Sequence, residues 1–218
     1  VDNPQQIISL CTGYGGIELG LERAGVNVKP IAYVEIEAWS IANLVDKIES
    51  GKMAPAPIHS DLKTFPYGRF RSKVDGIIGG YPCQPFSAAG KRLGKDDPRH
   101  LWSWIADGIR ACQPRWCFFE NVEGHITSGL YDVLSDLAGM GYATTWGLFS
   151  ASEVGAPHLR KRVFILANRN GERLEGLRQC VRPQGWQEQI GYTGSGCQVW
   201  PARPGQPQHD WEEPKVKS

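Results

Sequence analysis

The sequence predicts an α/β domain, a mainly parallel sheet with helices on both faces. Three observations carry that prediction. Short apolar runs alternate along the chain with stretches of helical spacing. Residues suited to chemistry follow the ends of those runs, at Gly13, Glu35, Cys83 and Glu120. The length, 218 residues, suits one such domain with a sizeable core and a remainder.

The elements follow in order. Ile7-Ile8-Ser9-Leu10 is a first strand leading into Gly13-Tyr14-Gly15-Gly16. Ile17, Leu21 and Ala24 are spaced by three or four and predict a helix that Gly25 stops. Pro30 to Val34 is a second strand, ending at Glu35, and Ile41, Leu44, Val45 and Ile48 mark a second helix. Val74 to Ile78 is a third strand, closed by Gly79 and Gly80. A long polar loop runs to about Arg99, after which Leu101, Ile105 and Ile109 share a helical face. Trp116 to Phe119 is a strand ending at Glu120-Asn121, and Tyr142 to Phe149 and Val163 to Ala167 are the last strands. In such sheets ligands bind outside the carboxyl ends of the strands. After Asn168 apolar periodicity gives way to glycine, proline, glutamine and arginine. Residues 1–167 are therefore expected to form the folded domain and 168–218 a short irregular region.

Composition narrows the class. The chain is 41% hydrophobic and 22% charged, as globular proteins are. No apolar run approaches the roughly 18 residues of a membrane span. Val1-Asp2-Asn3-Pro4 does not begin a secretory signal, so a cytoplasmic location is expected. None of the six cysteines forms a Cys-x-x-Cys pair and the five histidines do not cluster near them, so no metal site is expected. The net charge of +1 gives no global sign of a nucleic-acid binder. Locally, Lys91, Arg92, Lys95 and Arg99 share one loop, and Arg160, Lys161 and Arg162 open a second basic stretch. Such stripes suit either a phosphate backbone or a solvated face.

Two segments carry chemistry. Gly13-x-Gly15-Gly16, between a strand and a helix, lets the backbone turn tightly beside a ligand. Glu35, ending the next strand, is placed to accept hydrogen bonds from ribose hydroxyls. This pair fits a nicotinamide dinucleotide about as well as S-adenosylmethionine. Glu18 stands where the third glycine of the dinucleotide fingerprint belongs, which tilts toward a cofactor without pyrophosphate. The second segment, Gly79-Gly80-Tyr81-Pro82-Cys83-Gln84-Pro85-Phe86-Ser87, follows a strand and sets one thiol between two prolines. Prolines restrict the backbone around it, which suits a nucleophile better than a buried structural cysteine.

These segments together resemble the cytosine-C5 DNA methyltransferase family. Gly80-Tyr81-Pro82-Cys83-Gln84-Pro85-Phe86-Ser87 resembles its nucleophile loop nearly residue for residue. Ser9 to Gly16 resembles its first cofactor motif, Glu120-Asn121-Val122 its Glu-Asn-Val motif, and Arg160-Lys161-Arg162 its arginine motif. The match covers roughly residues 7–167, in family order. It implies a doubly wound mixed sheet of the S-adenosylmethionine-dependent methyltransferase (Rossmann-like) type. It also implies methyl transfer from S-adenosylmethionine to C5 of a cytosine flipped out of double-stranded DNA. Catalysis is then expected from Cys83, Glu120, Arg160 and Arg162. The cofactor is expected against Cys11, Gly13, Gly15, Gly16, Glu35, Ile36, Asp61, Leu62 and Pro82. DNA is expected at Gln84, Ser87, Lys91 and Arg92. Cys11 and Ile36 stand where phenylalanine and tryptophan are usual in the family.

A downstream Leu-Gly-Asn-x-Val-x-Pro motif, which completes the cofactor pocket in the family, is not found. The chain is accordingly expected to be C-terminally incomplete or completed by a second chain, with 168–218 the start of a target-recognition region. Two alternatives stay open. The family has a branch acting on transfer RNA, and its catalytic motifs are the same. A truncated protein that binds DNA or cofactor without turnover is the other.

Overall fold

The computed structural model describes residues 3–82 and 101–169. The apolar runs form seven strands: β1 (Gln5–Leu10), β2 (Val28–Val34), β3 (Ile58–His59), β4 (Gly76–Gly79), β5 (Trp116–Val122), β6 (Tyr142–Ser150) and β7 (Lys161–Arg169). The helices are α1 (Gly16–Arg23), α2 (Ala38–Glu49), α3 (Leu101–Cys112), α4 (His125–Ser128) and α5 (Leu130–Gly139). No helix among the described residues is long and apolar enough to cross a membrane. The last two residues of β7, Asn168 and Arg169, extend the domain past the expected boundary at 167, and residues 170–218 lie outside the described residues.

The strands make one mixed sheet in the order β3-β2-β1-β4-β5-β7-β6. β3 through β5 run parallel, whereas β7 is antiparallel to both β5 and β6. The doubly wound mixed sheet implied by the sequence is thus the architecture. β1 and β4 are fully buried over Ile7–Leu10 and Gly76–Gly79, as strands covered on both faces must be. On one face Ile8, Leu10, Ile77, Phe119 and Ile165 pack with Ile105 and Ile109 of α3 and Leu130, Val133 and Leu137 of α5. On the other face Ile7, Ile78 and Trp116 meet Ile17 and Leu21 of α1. Each wholly buried isoleucine side chain contributes about 1.5–3 kcal/mol relative to an exposed one.

Three elements, β3, the one-turn helix α4 and α5, lie beyond those predicted. β3 is a two-residue edge strand, too short to leave a periodic trace. α5 buries Leu130, Val133 and Leu137, an i, i+3, i+7 stripe that is present in the sequence.

Register decides what the fold does for function. Leu10 pairs with Val34 on one side and Gly79 on the other, and Gly79 pairs with Phe119. These four residues form one row across the sheet. The next residue on each strand, Cys11, Glu35, Gly80 and Glu120, therefore comes level at the carboxyl edge. That edge sits where the strand order reverses between β1 and β4, the crevice where open α/β sheets take their ligands.

Candidate active site

The β1–β2 end of the crevice is built around Glu35. Only 7% of this residue is exposed. Its Oε2 accepts a hydrogen bond from Gly13 N at 2.6 Å, and its Oε1 accepts from Ile36 N at 2.8 Å and Glu37 N at 2.9 Å. A carboxylate has about four acceptor directions, so three are used, one in holding the glycine turn and two at the residues that follow Glu35. Gly15, at φ 76°, favours glycine because its backbone is left-handed, and a Cβ there would also stand 2.7 Å from the Met53 sulfur and displace the end of that side chain. Below the turn, the Ser9 and Thr12 hydroxyls lie 3.0 Å apart and Thr12 also donates to the Ser9 carbonyl.

Cys11 shares this edge, with φ 49°. Burial, helped by the charge of Glu35, pushes its thiol up to about 12, so it stays protonated and unreactive at neutral pH. Ile36 is 69% exposed and Tyr14 is also exposed, so apolar surface flanks the turn. Asp61 accepts a hydrogen bond from Lys63 N at 2.9 Å, while Leu62 is buried in the core. A Cβ added to Gly13 or Gly16 would meet nothing within 4 Å, so the turn opens onto free space. An open glycine turn, an acidic anchor and exposed apolar side chains together fit a nucleoside cofactor.

The β4–β5–β7 end carries the other candidates. Gly80 passes so near Glu120 that a Cβ on it would lie 3.2 Å from Glu120 Oε2. The guanidinium of Arg162 reaches Glu120 Oε1 from β7 at 2.5 Å, and both side chains are largely shielded. Arg160 is exposed, and its carbonyl accepts from Ala151 N. Arg162 is thus the arginine brought to Glu120. Pro82 is exposed and is the last described residue before Cys83. Cys83, Gln84, Ser87, Lys91 and Arg92 lie outside the described residues.

Asn121 and His125 also belong to this neighbourhood, while Glu18 lies by Gly15 at the glycine-turn end, and the sequence alone assigns none of the three a role. Asn121, buried, donates from Nδ2 to the Tyr81 carbonyl at 3.1 Å. The Tyr81 hydroxyl meets His125 Nε2 at 3.0 Å. Glu18, in the sequence only a missing glycine, is 8% exposed, and its Oε1 has no hydrogen-bond partner among the described residues. Burial raises its pKa, against smaller opposing effects of the Ser9 hydroxyl and Lys47. No spacing rule marks His125.

Comparison with known proteins gives this geometry its family. The profile of C-5 cytosine-specific DNA methylases matches residues 5–196. The chain is 34% identical over 169 residues to the type II methyltransferase M.NaeI of Lentzea aerocolonigenes, covering 76% of this chain and 40% of that protein. It is 34% identical over 167 residues to the type II methyltransferase M.NgoMIV of Neisseria gonorrhoeae, covering 75% of this chain and 51% of that protein. The chain therefore spans about half or less of the length of these relatives. Among solved structures, that of Spodoptera frugiperda DNMT2 superposes with a TM-score of 0.62 at 25% identity, over 77% of this chain and 50% of that one. With the profile covering most of its length, the chain belongs to the C-5 cytosine-specific DNA methylase family.

Proposed function

We propose that this chain is the catalytic part of a DNA (cytosine-5-)-methyltransferase that uses S-adenosylmethionine and attacks its base through Cys83. The observation that carries the reading is the meeting of β4 and β5 at the crevice. Glu120 there faces Gly80, three residues before Cys83, with Arg162 upon it. A base entering the crevice would find a carboxyl group at the end of β5, and the chain leaving β4 beside it leads within three residues of Gly80 to Cys83.

The chemistry needs both. Cytosine C5 is a poor nucleophile. Addition of the Cys83 thiolate to C6 places the electron pair of the C5–C6 bond at C5, as an enamine conjugated to the ring. Glu120 bonds N3 and N4 and stabilises the charge gained at N3, while Arg162 holds the carboxyl group in place. S-adenosylmethionine, when bound, supplies the electrophilic methyl group that C5 attacks. Loss of the C5 proton to a base then restores the C5–C6 double bond and expels the Cys83 thiolate. Cys11, Gly13, Gly15, Gly16, Glu35, Ile36, Asp61, Leu62 and Pro82 would form the cofactor's surroundings, with Glu35 both fixing the turn and offering its remaining acceptor direction to a ribose. The reacting atoms lie inside the duplex, so the base must leave the stack. Gln84, Ser87, Lys91 and Arg92 are the proposed contacts to DNA, and Arg160 is proposed to help fix the base.

We also propose that the cofactor pocket is completed by further polypeptide, either a continuation of this chain or a second chain. The longer relatives and the exposed Tyr14, Ile36 and Trp39 beside the turn support this. The type II relatives suggest a restriction–modification setting in the cytoplasm.

Two measurements test the reading. Calorimetry should show binding of S-adenosylhomocysteine in preference to NAD, and a preference for NAD would overturn the cofactor assignment. Labelled methyl transfer, with any completing segment supplied, should yield 5-methylcytosine in duplex DNA. Label in transfer RNA alone would move the substrate to the RNA branch.

A further inference from the structure

We propose that His125 is a positioning residue for the nucleophile: through Tyr81 it fixes the root of the Cys83 loop against the strand end that carries Glu120. This rests on the reading of Cys83 given above.

Tyr81 is held at both ends. Its carbonyl accepts from Asn121 Nδ2 at 3.1 Å, and its hydroxyl meets His125 Nε2 at 3.0 Å. Tyrosine and histidine are each only 4% exposed, and their rings stand edge to face with centroids 5.7 Å apart. Trp102 of α3 and Phe119 of β5 close the remaining sides of the Tyr81 ring. Trp102 is itself pinned, its indole N–H donating to Asp136 Oδ2 at 2.8 Å. Three other parts of the chain, β5, α3 and α4, thus converge on Tyr81.

Aromatic packing alone would fill this space, and phenylalanine or leucine would do it. The polar pair adds direction. The bond between a buried phenol and a buried imidazole is directional, so it favours one rotamer of Tyr81 where packing alone would accept more than one. Burial disfavours the imidazolium, so the bond joins two neutral groups, with either tautomer able to make it. Cys83 follows Tyr81 by two residues, across Pro82, whose φ is restricted. With so short and stiff a lever, movement at Tyr81 passes to the thiol. Misplacement of a reacting group by about 1 Å can cost roughly a hundredfold in rate. His125 lies on α4 and is not among the residues proposed to surround the cofactor.

The test compares His125→Leu, His125→Gln and Tyr81→Phe in single-turnover methyl transfer, with any completing segment supplied. His125→Leu should slow the chemical step by about ten- to a hundredfold while affinities for S-adenosylhomocysteine and duplex DNA stay within about twofold. His125→Gln, whose amide can both donate and accept, should recover most of the rate. Tyr81→Phe should reproduce the loss, and the double variant Tyr81→Phe/His125→Leu should lose no more than either alone. An unchanged rate in His125→Leu, or no recovery in His125→Gln, overturns the proposal. Hydrogen exchange on the chain alone decides separately. His125→Leu should speed exchange at residues 80–81 by about tenfold or more and leave Ile77 and Ile78 slow. A uniform change over the sheet, or none, overturns the clamp. Absence of methyl transfer by the unaltered protein would instead overturn the reading of the reaction, leaving exchange to judge the clamp.

Discussion

The two ends of the crevice are held together by different means. At the β1–β2 end, Glu35 is bound by backbone N–H groups alone, from residues 1, 2 and 22 positions away. At the β4–β5–β7 end the bonds join side chains to distant segments: Asn121 to Tyr81 across 40 positions, Tyr81 to His125 across 44, and Glu120 to Arg162 from another strand. The first end is a local device, one carboxylate organising one turn. The second is assembled only when the sheet is complete. Damage at the first should therefore appear in cofactor affinity and stability, and damage at the second in the rate of the chemical step.

The sharpest way to break that division is Glu120→Gln. The amide keeps the shape but loses the carboxyl group. Methyl transfer should slow by about a hundredfold or more, the scale of losing one transition-state partner, with cofactor affinity within about twofold. Equal losses in rate and cofactor affinity would erase the distinction between the two ends. Glu35→Ala should do the reverse. Three backbone N–H groups lose their partner, so unfolding free energy should fall by about 2–4 kcal/mol and S-adenosylhomocysteine binding should weaken markedly. Denaturant melts and calorimetry check both, and an unaltered affinity would remove Glu35 from the cofactor end.

A smaller effect sharpens the comparison below the turn. Glu18 has a folded-state pKa raised above 4.5 by burial. The folded chain therefore keeps this proton where the unfolded chain has lost it. The stability this contributes is fully present below the unfolded value and is lost as pH rises through the folded one. Glu18→Gln removes the titration. Its stability relative to the parent should rise from about pH 4.5 upward and level off once the folded pKa is passed. Melts at acidic, neutral and alkaline pH check this, and a constant difference would show that Glu18 does not titrate there. The smallest expected effect is at His125, whose pKa burial lowers. Parent stability should decline as pH falls below about 6.5 and through the folded value, because the unfolded chain takes up the proton first. His125→Gln should lack that decline.

Legibility in the sequence follows the same division. Strand runs such as Ile7–Leu10 and the glycine turn after them are local patterns, and periodicity exposes them. So are the stripes of α1, α2 and α3. The carboxyl-edge row of Cys11, Glu35, Gly80 and Glu120 requires register, which no single strand encodes. The insertion of β7 between β5 and β6 is likewise a pairing choice, set by which strands meet rather than by their composition. His125 is hidden for the same reason. Its partner Tyr81 precedes it by 44 positions, and a lone histidine after Glu-Asn-Val carries no spacing that points there. Glu18 shows the converse: its position stands out in the sequence, but only burial reveals a shielded acid rather than an absent glycine.

The central claim is that Cys83 forms a covalent bond to the base, and duplex DNA carrying 5-fluorocytosine at the target position tests it most directly. Fluorine at C5 cannot leave as a proton does, so elimination stops after methyl transfer. With any completing segment supplied, the chain should form a protein–DNA adduct that survives denaturation, and mass spectrometry should find it on Cys83. Cys83→Ser should give neither adduct nor 5-methylcytosine, because a hydroxyl is far less nucleophilic than a thiolate at neutral pH. Replacing Cys11, Cys112 or Cys117 by alanine should leave the adduct in place. Burial pushes the thiol of each of these up, to about 12 for Cys11 and Cys112, so none supplies a thiolate. Normal methylation by Cys83→Ser, or an adduct on another residue, would contradict the mechanism.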